Sequence, residues 1–211
     1  MTDTGQWRLR AILIWMALGL AVSAPLVAAM LSPLLAWREP IYIVSGFAGV
    51  VGLALMLFQP LLAGGYLPGL PAMRGRRVHR WIGAALVACV VGHVAGLWIT
   101  TPPDVIDALL LVSPTPFSIW GVIAMWAVFA TAALALLRRR WRVPPRLWRR
   151  AHTALAAIIV VGTILHALLI QGTMETVTKA LLCLFVLVAT AKVMLDLRVW
   201  TRSARSDASS G

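Results

Sequence analysis

Two stretches decide how this chain folds: GRRVHRWIGAALVACVVGHVAGLW at residues 75–98 and LWRRAHTALAAIIVVGTILHALL at residues 147–169. They hold all four histidines of the chain, His79 and His93 in the first, His152 and His166 in the second. Within each stretch the two histidines are 14 residues apart in an apolar run. At a rise of ~1.5 Å per residue this is about 21 Å along a helix, most of a bilayer's hydrocarbon thickness. The spacing is also just under four turns, so both members of a pair share one helix face. Two such helices set side by side present two His–His couples, one near each membrane surface. Imidazole is a common axial ligand of haem iron, and a bis-His couple leaves no open position on the metal. The pattern predicts an all-α membrane cytochrome with two stacked b-type haems.

Composition names the bilayer as solvent. The chain is 61% hydrophobic and only 12% charged, with a mean hydropathy of +0.88, outside the range of soluble domains. A net charge of +12 does not point to nucleic acid, because the arginines sit in short clusters between apolar runs. Cys89 and Cys183 lie inside such runs and say nothing about redox compartment.

Six segments are long enough to span, at about 11–33, 41–63, 78–100, 118–138, 151–171 and 177–198, which makes a six-transmembrane-helix bundle. Residues 199–211 read as a polar cytoplasmic tail of this single domain. Arg8 and Arg10 before an apolar run, with Ala21-Val22-Ser23-Ala24 behind them, resemble a secretory signal. The uncharged stretch from Ala11 to Trp37 is much longer than a signal core, so it reads as a true helix. The loop at 64–80 carries Arg74, Arg76, Arg77 and Arg80, and the loop at 138–150 carries seven further arginines. The alternate loops have almost none. The positive-inside rule then puts both termini and both arginine loops in the cytoplasm.

This topology gives each histidine a depth. The third and fifth segments both start at the cytoplasmic face and run parallel, so His79 meets His152 at the inner side and His93 meets His166 at the outer side. Gly83 and Gly96, with Ala156 and Gly162, lie three or four positions from a histidine. Small side chains there suit a flat macrocycle against the helix, and they equally suit close helix–helix packing. A histidine at an interface is often a plain polar residue, whereas His93 and His166, deep in apolar helices, mark a functional site. Imidazole also suits zinc and copper, but no intramembrane carboxylate accompanies these rings.

The run from Arg76 to Trp98, together with Leu147-Trp148-Arg149-Arg150-Ala151-His152 through His166, resembles the ferric reductase-like transmembrane domain. That superfamily includes ferric reductases, the membrane domain of NADPH oxidases and the haem-binding subunit of the periplasmic methionine-sulfoxide reductase system. The stretch from Ser113 to Trp126 is similar to bacterial stand-alone members. The resemblance, read as covering helices 1 to 6, implies an inner haem on His79 and His152 and an outer haem on His93 and His166. The oxidases and eukaryotic reductases continue into flavin and nicotinamide domains, and no Gly-rich nucleotide fingerprint is present in these residues. A separate cytoplasmic flavoprotein or a quinol is therefore the expected donor, and ferric iron or a periplasmic reductase the expected outer-face acceptor. A haem-binding sensor or assembly factor is a further alternative.

Some relatives place an aromatic between the haems, where this chain has Ile158-Ile159; Trp120, Trp126 and Phe129 are the candidate substitutes. Arg77, Arg80, Arg149 and Arg150 suit haem propionates at the inner face, or anionic lipid. Arg38 and Lys179 are the cations at the outer side. Trp81, Trp98, Trp148 and Trp200 fall where an interfacial belt belongs. Asp104, Asp107 and Glu175 suit either an outer cation or helix N-termini.

Overall fold

In a computed structural model, residues 3–206 are described, and all of the regular structure among them is helical. The helices are α1 (Asp3–Met30), α2 (Pro40–Ala63), α3 (Ala72–Thr100), α4 (Pro102–Leu109), α5 (Ser118–Leu137), α6 (Pro145–Leu169) and α7 (Thr176–Ser206), with a 3-10 turn at Pro33–Leu35. All but the short α4 are long and apolar enough to cross a membrane, which gives the six spans of a multi-pass membrane protein.

The elements outrun the apolar segments that reveal them. Hydropathy marks only residues inside hydrocarbon, whereas helical hydrogen bonding continues past it. Thus α3 starts at Ala72 and α6 at Pro145, ahead of the expected 78 and 151, and each takes its arginine cluster into its first two turns. Pro40, Pro102 and Pro145 sit in the first turn of their helices, where the missing N–H costs nothing and the ring's fixed φ suits the helix. Helix α4 was expected as loop; a proline start followed by Asp104 in the first turn explains it. The stretch expected as a tail from 199 continues α7 as far as Ser206, and residues 207–211 lie outside the described residues.

The bundle is built from two helical hairpins. Helix α3 packs along α2, and α6 packs along α5; α7 bridges them by touching both α2 and α6, and α1 lies against α7 and α2. The two His-bearing helices are not among the extensively packed pairs. Leu53, Ala54, Met56 and Leu57 of α2 meet Leu182, Cys183 and Val186 of α7 in one buried cluster. Between apolar helices in lipid the gain is close van der Waals packing rather than water exclusion. At the arginine-rich end Tyr66 of the α2–α3 loop donates to Asp196 of α7, which also pairs with Lys192 at 3.0 Å.

Candidate functional site: two histidine couples between the hairpins

Across the gap between α3 and α6 the four histidines meet two by two. The ring centres of His79 and His152 are 6.2 Å apart, and those of His93 and His166 are 6.4 Å apart. Both couples form at once only if α3 and α6 run parallel and in register. The planes within the couples cross at 65° and 81°.

Local hydrogen bonds decide which nitrogen each ring presents. His93 Nδ1 lies 2.8 Å from the Ser45 carbonyl, His166 Nδ1 is 3.0 Å from the Phe117 carbonyl, and His79 Nδ1 is 3.3 Å from the Gln59 carbonyl. A carbonyl oxygen only accepts, so in these three rings Nδ1 carries the proton and the Nε2 lone pair is left for a metal. Such a bond also fixes the ring and makes it a stronger donor. Ser45 closes a clasp by donating from Oγ to the His93 carbonyl at 2.6 Å, and Gln59 Nε2 donates to the His79 carbonyl at 3.3 Å. His152 is the exception: its buried Nδ1 has no hydrogen-bond partner among the described residues. Its ring is stacked instead on Trp148, with centres 5.1 Å apart and planes at 18°.

Glycines make the clasps possible. A Cβ on Gly49 would come 3.1 Å from His93 Nδ1, and one on Gly121 would come 2.6 Å from His166 Nδ1. Neither was singled out from sequence, because both lie on the helices without histidines. A signal was nevertheless present: Phe117 and Gly121 stand 72 positions after Ser45 and Gly49, one fewer than the 73 between corresponding histidines. The internal duplication therefore reaches beyond the histidines to the helices that hold them. The glycines beside the histidines face the partner helix of the same hairpin. A Cβ on Gly96 would strike Ser45 Cβ at 2.7 Å, one on Gly162 would meet the Trp120 carbonyl at 3.0 Å, and one on Gly83 would lie 3.5 Å from Gln59 Nε2. Helix packing is thus the role their geometry displays; Ala156 is half-buried.

The remaining candidates are spread. Arg77, Arg80 and Arg149 are exposed, and the ion pair found among the described residues is Lys192–Asp196. Lys179 is buried and donates to the Ile170 carbonyl at 2.8 Å, closing the end of α6 just beyond His166. Trp126 is 58% exposed and packs edge-on against Phe129. Leu86 and Ile159, midway along each histidine pair, are buried in the shared apolar cluster.

Residues 46–163 match the model of a family described as ferric reductase like transmembrane component. The chain belongs to that family. The match covers more than half of the chain, from α2 into α6, a narrower reach than all six spans; it takes in His79, His93 and His152 and ends just before His166. No curated protein and no solved structure matches the chain. Ferric reductase-like domains generally bind haem, and membership points to electron transfer across a membrane.

The donor set fits that group. Two in-line metal–imidazole bonds of about 2.0–2.1 Å, plus the half-widths of the rings, put ring centres roughly 6 Å apart. Both couples have that separation, and three of the four rings are held with Nε2 free. Among the described residues no group of three or more His, Cys, Asp or Glu gathers, so each couple offers a metal two imidazoles. A porphyrin would supply four further ligands to an iron held by either couple.

Proposed function

We propose that the chain carries electrons across a bacterial inner membrane through two bis-His haems, from a cytoplasmic or membrane donor to an acceptor at the outer face. The observation that carries this reading is the pair of couples at one ligand separation and two depths on parallel helices. Bound there, the haems supply one-electron carriers whose coordination positions are all filled. His79 and His152 hold the inner one, His93 and His166 the outer one. Ser45, Gln59 and Phe117 orient three of these rings through their carbonyls. Leu86 and Ile159 fill the layer between the couples and keep water out of it. Arg77, Arg80 and Arg149, unpaired with acidic side chains among the described residues, would meet propionates at the inner end. The arginine-rich ends of α3 and α6 set the inner side, with the termini, in the cytoplasm. The donor is a separate flavoprotein or a quinol, and the acceptor is ferric iron or a periplasmic reductase.

The test is the haem content and spectrum of the purified full chain. Two protoporphyrin haems per chain, low-spin in both oxidation states, are expected. One haem per chain, or a high-spin spectrum, overturns the two-couple reading.

A further inference from the structure

The two hairpins repeat the bond from ring Nδ1 to a neighbouring helix's carbonyl at three histidines and lack it at the fourth. Gln59 reaches from α2 to the His79 carbonyl, and His79 Nδ1 reaches back to the Gln59 carbonyl. The residue 72 positions later is Thr131. Its side chain donates to Ala127 of its own helix at 2.7 Å, so the side-chain half of the Gln59 clasp has no counterpart here. His152 is left with a buried Nδ1 and no partner, at a position where a loose ring would misalign a ligand. What the ring has is Trp148, one turn earlier on α6 and parallel to it to within 18°. The centre separation of 5.1 Å lies in the range of favourable offset stacking. Trp148 is itself restrained by Arg138 at the end of α5, whose guanidinium carbon sits 4.8 Å from the indole centre.

We propose that Trp148, held by Arg138, is the positioning residue of the inner couple, doing by stacking what a backbone carbonyl does for the other three histidines. The inference rests on the bis-haem reading. Stacking restrains the tilt and twist of the imidazole but adds no hydrogen bond at Nδ1. His152 is consequently the weakest donor of the four rings and the one most easily displaced.

The experiment compares Trp148→Leu, Trp148→Phe and Arg138→Gln with the unaltered chain. It reads haem retained per chain and the low-spin ferric electron paramagnetic resonance spectrum. The unaltered chain must show two low-spin signals, one for each crossing angle; their absence would defeat the haem reading itself, whatever the variants do. Given both signals, Trp148→Leu should broaden the inner signal and lower inner-haem retention about tenfold, in the range of lost orienting partners. The outer signal should stay unchanged. Trp148→Phe, which keeps a stacking ring, should restore most of both, and Arg138→Gln should give an intermediate broadening. If Trp148→Leu does not assemble, the Phe and Gln variants decide: an inner signal broadened by Arg138→Gln and kept by Trp148→Phe supports the inference. Inner signals identical in all variants overturn it, and so does equal damage to both couples.

Discussion

The outer couple is braced and the inner couple is leaned upon. At the outer level both rings are tied to backbone carbonyls at 2.8 and 3.0 Å, and glycines beneath them leave room for little motion. At the inner level one ring has a longer bond of 3.3 Å and the other has none among the described residues, resting on the half-buried Trp148 indole instead. Two sites with the same ligands therefore differ in how far the protein has organised them beforehand. Preorganisation at the outer level suits a carrier that must present one geometry to an acceptor. On the proposed reading, the freer inner level is where the chain would meet its donor.

The sharpest way to break this comparison is to remove a ligand from the braced site. His166→Ala leaves His93 unpaired in an apolar gap, and an unpartnered polar ring there is costly. The outer haem should be lost and the inner haem largely kept. In right-side-out vesicles loaded with a reductant, reduction of an impermeant external ferric chelate should then stop. His79→Ala should empty the inner site instead. If His79→Ala and His93→Ala empty the same haem, the assignment of couples to depths is wrong.

A smaller effect is expected from the glycines. Gly121→Ala puts a methyl group 2.6 Å from His166 Nδ1, inside contact distance, so the ring or α5 must move. Overpacking of this kind costs about 1–3 kcal/mol. The His166–Phe117 bond should lengthen, and outer-haem retention should drop about 10–100-fold, as for other lost orienting partners. Gly49→Ala, at 3.1 Å, should do the same more weakly. Loss of the inner haem in either variant would show that the two levels are not independently built.

How much of this was legible follows from where each residue sits. The histidines could be read because 14 residues and a 3.6-residue turn put them on one face, and their polarity stands out against an apolar run. Parallel pairing followed from the arginines ahead of each first histidine. The carbonyls of Ser45, Gln59 and Phe117 were invisible, since every residue has a carbonyl and only packing selects one. Gly49 and Gly121 lay on helices with no histidine or charged landmark, and glycine in a membrane helix is common enough to carry no message by itself. Gly96 and Gly162 were seen but their direction was not: a spacing from a histidine does not say which neighbour the missing Cβ would have struck. The helix starts at Ala72 and Pro145 were missed because charge ends a hydropathy segment without ending a helix.

The smallest effect concerns the frame around the braced site. Glu175 lies ahead of α7, and its two carboxylate oxygens accept from the backbone N–H groups of Thr178 and Val177, each at 2.7 Å. These bonds, that from Thr178 first, hold its pKa below the ordinary carboxylate value. A depressed pKa in the folded state means that the capping contribution is fully present above the unfolded-state pKa. It fades as pH falls through the lower, folded-state value. The same turn of α7 carries Lys179, whose ammonium donates to the Ile170 carbonyl, and the Ile170 amide in turn donates to the His166 carbonyl at 3.2 Å. Loosening the cap should therefore be felt at the outer couple and not at the inner one. In detergent, the thermal midpoint of the haem-loaded chain should decline on acidification from the carboxylate range downward. In Glu175→Gln that acid-dependent part should shrink and the midpoint should be slightly lower at neutral pH, with only the outer low-spin signal broadened. An acid decline of the same size in Glu175→Gln and the unaltered chain would remove Glu175 from the frame and confine the bracing of the outer couple to α2 and α5.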